Sequence, residues 1–358
     1  MRSGKLAVLF SRFCLVVLMA VFLLMAPCTK SYSEQTAPGK TIKLSLSSFL
    51  PAEMFVNKVI LSQWIANVAT ATNGRVKIVL YPGGTLTGVS DTYQGILKGV
   101  TDIGLGVVAY QFQKFPLIEM FELPGLSYPD PLVSTMTTWE GYKKFKHLVF
   151  TDTKILFLMT TGPGFLGTVK KPVYALEDLK GLEINATGST AEAAKALGAV
   201  PVNVPAPEIY LALQKGILKG QICPPEFFKS FRTGEIVHHV TIPSSALYNK
   251  VWFIAMNLKK WNALAPDIQK AIDKASDEVW IEKASRIFDS FGKGGLEFVK
   301  KNGGEIIYLS PEENARWAKS LEGVPHKYIK ALNAKGLPGQ AVWDTAVQLS
   351  KKYTELYK

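Results

Sequence analysis

Cysteine and histidine are scarce, and their scarcity excludes a good deal. The cysteines are Cys14, Cys28 and Cys223, and the histidines are His147, His238, His239 and His326. Cys14 and Cys28 fall in an N-terminal stretch that reads as a removable leader, so Cys223 would stand alone and no intramolecular disulfide is expected. The pair His238–His239 has no cysteine or acid beside it at metal-ligand spacing, so it reads as a surface or helix-end pair and no metal or cofactor is expected. Phosphate-binding loops and nucleophile elbows are missing. The run GKGG at 292–295 lacks the strand before and helix after that a dinucleotide loop needs, and it reads as a helix break. Ser290 and Lys293 match Ser-x-x-Lys, but the partner motifs of that chemistry are absent. Nothing nominates an enzyme.

A dense basic stripe is also lacking. The formal net charge is +12, yet four positive charges (Arg2, Lys5, Arg12, Lys30) lie in the first 33 residues, which contain no acid. That leaves 37 basic residues against 29 acidic ones, interspersed, which is a solvated surface rather than a nucleic-acid footprint. Long apolar runs are confined to 13–26, about 14 residues, short of the roughly 20 a membrane span requires. Basic residues precede this run and small residues (Ser31, Ser33) follow, so residues 1–33 read as a secretory signal cut after Ser33. An uncleaved anchor is the competing reading. Lipidation of Cys28 is disfavoured by Pro27 directly before it.

What is present is alternation of strand and helix signals. Residues 41–49 alternate apolar and polar, as a strand does. A helix over 54–72 carries Val56, Val59, Ile60, Trp64, Ile65 and Val68 on one face and ends at Asn73–Gly74. Strands at 75–81 and 101–107 flank a helix at 91–99. This order predicts an α/β domain. Residues 115–128 form an apolar, proline-containing loop, 131–146 a helix, 154–161 a strand, and GPG at 162–164 a crossover between domains. The stretch 176–225 repeats strand, helix, strand, helix, strand: a strand at 182–185 ending on Asn185, a helix beginning at 188–190, an extended segment at 201–204, a helix at 207–216 and a strand at 220–224. Ligands bind at the carboxyl ends of such strands. Beyond an amphipathic region at 227–237, a strand at 250–257 returns to the first domain. A long helix over 265–298 is expected to be interrupted at 292–295, followed by a strand at 305–309, a Ser310-capped helix and helices near 325–334 and 338–357. The segments GILKGVTDIG (95–104) and LQKGILKGQI (213–222) are self-similar, as two lobes around a cleft would be.

Several of these segments, in order, resemble the extracytoplasmic solute receptors of TRAP transporters, of the dicarboxylate-receptor type. The segments are 85–110, FPLIEMFELPGL (115–126), KPVYALEDLKGLEI (171–184) and ALGAVPVNVPAPEIYLALQKG (196–216). The resemblance implies an α/β two-lobe periplasmic-binding-protein fold with a hinge, two chain crossovers and a long lobe-spanning helix. Lobe I would comprise 40–162 and 251–290, and lobe II 163–250 and 291–358. It implies a periplasmic, monomeric receptor that captures a small-molecule ligand by cleft closure and hands it to the TRAP membrane subunits, with no catalysis, cofactor or nucleic acid involved. A ligand-presenting partner of a sensor kinase is the alternative.

The family usually grips the ligand carboxylate with an arginine where this chain has Asn185. An amide donates and accepts hydrogen bonds but carries no charge. A second, frequently polar family position aligns with Phe165, and the asparagine often found after Gly-Gln-Glu aligns with Cys223, with Ile222 in place of the Glu. Gly188 and Ala206 give two further positions little or no side chain. Aromatic candidates for the cleft wall are Phe49, Tyr110, Phe165, Phe227, Phe228, Tyr248 and Trp252. Three ligand readings follow: a carboxylate held by Asn185, backbone amides and a displaced cation such as Arg232 or Lys250; a monocarboxylate with an apolar or aromatic body against Phe165, Tyr248 and Trp252; or a neutral or amine-bearing solute using Glu226 or Glu53. A monocarboxylate or other organic acid is the expected ligand, with a neutral, amine-bearing or aromatic solute as the alternative.

Overall fold

The computed structural model describes residues 41–111, 114–126, 128–244, 247 and 249–358. The leader and its cleavage site, and Tyr248, lie outside the described residues. The first half of the chain lays down β1 (Ile42–Ser48), α1 (Ser62–Ala71, entered through a π-helical turn Val56–Leu61), β2 (Val76–Tyr81), α2 (Thr92–Lys98), β3 (Ile103–Val107), α3 (Pro131–Phe145) and β4 (Thr153–Thr160). Then come β5 (Phe165–Thr168), β6 (Glu183–Asn185), α4 (Ser189–Ala196), β7 (Val200–Val202), α5 (Ile209–Gln214), β8 (Gly220–Cys223), α6 (Glu226–Ser230), β9 (His239–Ile242) and β10 (Val251–Asn257). The last part holds α7 (Pro266–Ala275), α8 (Glu278–Lys301), β11 (Glu305–Tyr308), α9 (Pro311–Leu321), α10 (Gly323–Ala334) and α11 (Gly339–Leu356).

The strands form two sheets with the same internal plan. One runs β2-β1-β3-β10-β4, the other β7-β6-β8-β5-β9-β11. Each begins with three parallel strands and continues with one antiparallel to them, β10 in the first sheet and β5 in the second. The chain therefore passes from first sheet to second between β4 and β5, and returns between β9 and β10. The repeated segments at 95–104 and 213–222 occupy equivalent places, each helix feeding the third parallel strand. Every residue of β10 is buried, so both faces of the first sheet are covered at that strand. Strands β5 and β9 carry only four residues each. Neither shows enough alternation for the sequence to mark it.

Helix α8 ties the sheets together. Near its start Trp280 meets Phe157 of β4 edge-on, with ring centroids 6.3 Å apart. Midway, Phe288 meets Trp252 of β10 at 5.7 Å. At its end Val299 lies where a side chain at Gly234 or Gly304, beside the second sheet, would strike it. The expected long helix differs in one respect: it is broken at 276–277 and continuous through the glycines. Asp277 caps α8, its carboxylate accepting from the backbone N–H groups of Val279 and Trp280 at 3.1 and 3.4 Å. The glycines at 292 and 295 serve close packing instead. A Cβ at Gly295 would sit 1.8 Å from the backbone oxygen of Pro225. Asp277→Ala leaves two helix N–H groups unpaired and is expected to cost about 1 kcal/mol in urea unfolding; no measurable loss would show that the cap carries no weight.

Candidate functional site

Asn185 ends β6, and the loop behind it leads into α4. Its Oδ1 accepts a hydrogen bond from the Val204 backbone N–H at 3.0 Å, fixing the chain as it leaves β7. The side chain is 7% exposed. On the neighbouring strands, Asn185 is paired with Gln221 of β8, and Cys223 of β8 is paired with Phe165 of β5. Three of the expected positions thus share one sheet end. Cys223 is buried, and burial, with Glu226 adding, pushes its thiol well up, so it is not a reactive thiolate.

Gly188, before α4, has φ +54°, and a Cβ there would meet Ala109 at 3.4 Å and Lys250 Nζ at 3.8 Å. The missing side chain lets the second-sheet loop approach the segment that follows β3. Lys250, directly before β10, is 1% exposed. Its ammonium donates to Glu122 Oε2 at 3.0 Å, Ser189 Oγ at 3.1 Å and the Thr187 carbonyl at 3.3 Å. Glu122 Oε1 accepts from the Val251 N–H at 2.8 Å. Burial raises the Glu122 carboxyl, while Lys250, Val251 and Ser189 oppose that rise. Of the two cations considered as replacements for the missing arginine, Lys250 is the buried one, held between Glu122 and the Gly188 loop. Arg232 is not: it is exposed and paired with Glu235 at 2.8 Å.

Beside this knot a cleft of about 690 Å³ is lined by residues of both lobes, among them Tyr110, Glu119, Thr187, Gly188 and Tyr328. Burial, with Glu122 adding and Lys250 opposing, pushes the Glu119 carboxyl up to about 7. Burial raises the Tyr110 phenol to about 12, with the Ala206 backbone opposing that rise.

Trp252 lies two residues beyond Lys250 on the extended chain, so the two share a face. Its ring is 5.8 Å from Phe49, tilted, and 5.7 Å from Phe288, edge-on. The indole is 1% exposed, and its Nε1 has no hydrogen-bond partner among the described residues. One turn along α8 from Phe288 stands Gly292, whose bare backbone accommodates Pro225 and the Glu226 carboxylate, with Oε2 3.8 Å from where a Cβ would be. Glu226 is 2% exposed, and its Oε1 also has no partner among the described residues. Burial, with Asp289 adding and the backbone N–H opposing, pushes this carboxyl up to about 8. Glu53 is on the surface, paired with Lys58. Phe227 and Phe228 are core residues of the second sheet.

Sequence reasoning missed Glu122, Glu119 and Ser189. The available signal was Glu122 itself, a carboxylate between Phe121 and Leu123 in an apolar loop, since a buried acid needs a partner.

A family model described as bacterial extracellular solute-binding protein, family 7, matches residues 46–331. The chain belongs to this family. It is an extracytoplasmic solute-binding receptor of the TRAP type, with that family's two-lobe periplasmic-binding fold and its place in solute transport. The C4-dicarboxylate-binding periplasmic protein DctP of Rhodobacter capsulatus is 26% identical over 274 residues, 74% of this chain and 80% of that protein. The TRAP solute-binding protein of Rhodoferax ferrireducens T118, solved with copurified benzoate, superposes with a TM-score of 0.84 at 27% identity, covering 89% of this chain and all of that one. A marine-metagenome TRAP receptor specific for aromatic acid ligands, solved with metahydroxyphenylacetate, gives 0.83 at 28% identity, covering 87% and 99%. Periplasmic relatives support a periplasmic location for this receptor.

Proposed function

We propose that this receptor, with its leader removed after Ser33, captures an aromatic or similarly apolar monocarboxylate and delivers it unchanged to TRAP membrane subunits. One observation carries the reading: Asn185 stands where a cation is usual, its uncharged amide holding the Val204 N–H, while Trp252, packed between Phe49 and Phe288, keeps a buried indole N–H without a partner among the described residues. A pocket of this kind fixes a small ligand with a few polar groups among apolar walls. The buried ammonium of Lys250 is engaged by Glu122, so the knot as a whole supplies little net positive charge for a second carboxylate. The two solved relatives named above, at 27% and 28% identity, hold aromatic acids. Closure follows if the ligand touches Asn185 on one lobe and Trp252 on the other, because only contacts made in the closed form shift the equilibrium.

Benzoate is expected to raise the melting temperature and to bind in a calorimeter, with succinate doing neither, and to be recovered chemically unchanged after incubation. Tighter binding of succinate, or conversion of benzoate, would sink the proposal. Trp252→Phe keeps the ring packing and removes the indole N–H; benzoate affinity is expected to fall about tenfold, the loss of roughly one hydrogen bond to a charged group.

A further inference from the structure

We propose that Glu226 is a ligand-binding residue that meets the ligand carboxylate as a carboxylic acid, donating its proton into an acid–carboxylate hydrogen bond, so that capture is coupled to proton occupancy. This rests on the monocarboxylate reading above. Glu226 opens α6 directly behind the end of β8, where Cys223 stands. It lies against α8 at Gly292, one turn from Phe288, the residue that packs on Trp252. Two buried polar atoms without partners among the described residues, Glu226 Oε1 and Trp252 Nε1, are thus held over adjacent turns of one helix. Orphaned groups this deep cost stability unless something satisfies them. A ligand carboxylate has acceptor capacity for both.

The surroundings determine the proton. The groups facing Glu226 are the Cys223 thiol from β8, kept neutral by burial, and Asp289 from α8, which is paired with Lys293 at 2.9 Å. Its neighbour on α6, Lys229, is exposed. Among the described residues no cation acts on Glu226 to hold it as an anion, and burial with the Asp289 charge holds the carboxyl near 8. At neutral pH the free receptor therefore presents a neutral acid there. A carboxylate ligand strengthens that preference, because two carboxylates in contact cannot both stay ionised. The sign follows. Below about 8 the proton is already present and affinity is flat with pH. Above it, binding must take up a proton, and affinity falls by about tenfold per pH unit.

The test uses the leader-free chain with benzoate as probe, titrated calorimetrically from about pH 6 to about pH 9.5 in two buffers of different ionisation enthalpy. Expected are a constant affinity to about pH 8, a decline beyond it, and uptake of about half a proton near the midpoint. Glu226→Gln donates through its amide at every pH. Its affinity at neutral pH is expected to be several-fold weaker and to show neither the decline nor the proton uptake, with a melting temperature near that of the parent. A flat wild-type profile with no proton uptake, a Glu226→Gln profile that still declines, or an affinity that rises with pH would overturn the inference while leaving the aromatic-acid reading standing. Failure of benzoate to bind at any pH would overturn both.

Discussion

Lys250→Met is expected to lower the unfolding free energy by about 3–5 kcal/mol, because it strands the Glu122 carboxylate in the interior with its counter-charge gone. Both side chains are essentially fully buried, at 1% and 0% exposure. The same substitution removes the hydrogen bonds that Lys250 makes to Thr187 and Ser189 at the head of α4. The loss should depend on pH. With Lys250 gone, the folded-state pKa of Glu122 rises further above its unfolded value. The native state then binds the proton more tightly than the unfolded state does, and stability declines as pH rises between those two values. Urea unfolding near pH 5 and pH 9 should therefore show the larger deficit at the higher pH. Adding Glu122→Gln to Lys250→Met removes the stranded charge and keeps an acceptor for the Val251 N–H, so much of the stability should return. A single-variant loss below about 1 kcal/mol, or no recovery in the double variant, would mean that the knot is not the interior tie described above.

The contrast between this knot and the 176–225 block shows what a sequence makes visible. In the block, glycine and proline punctuate short apolar segments, and neighbouring elements pack on one another. The strand ending on Asn185, the helix starting at 188–190 and the strand reaching Cys223 are accordingly found as β6, α4 and β8. Departures of one or two residues, such as β7 at Val200–Val202, fall at element ends where local signals are weakest. The strand ends that carry Asn185 and Cys223 were legible for the same reason. The tie between Glu122 and Lys250 spans 128 positions, and no local pattern encodes a pairing at that distance. Lys250 could be named as a candidate cation, yet the sequence offered no means of choosing it over Arg232. The orphaned atoms of Trp252 and Glu226 belong to the same class, since burial without a partner is a property of the assembled fold.

The glycines of α8 were misread because their intrinsic cost points the wrong way. Glycine in a helix interior is disfavoured by about 1 kcal/mol relative to alanine, so three in four residues suggest a break. The helix runs through all three because the start of α6 packs against the bare backbone at Gly292 and Gly295. Gly295→Ala is expected to reverse the usual sign and destabilise by about 2 kcal/mol or more, since the added methyl overlaps backbone atoms and no rotamer change relieves it. The ideal Cβ lies 1.8 Å from the Pro225 oxygen, 2.5 Å from the Pro225 carbonyl carbon and 3.0 Å from the Glu226 nitrogen. Relief requires α6 to move away from α8, and that movement carries Glu226 with it. Benzoate affinity should therefore fall together with stability, by tenfold or more on the scale of one lost charge-assisted hydrogen bond. Gly294→Ala on the same turn is the internal control. A Cβ there meets nothing within 4 Å, so helix propensity alone acts and stability should rise by up to about 1 kcal/mol. If both substitutions stabilise, α6 and α8 are not in backbone contact, and the placement of Glu226 against Gly292 fails with it.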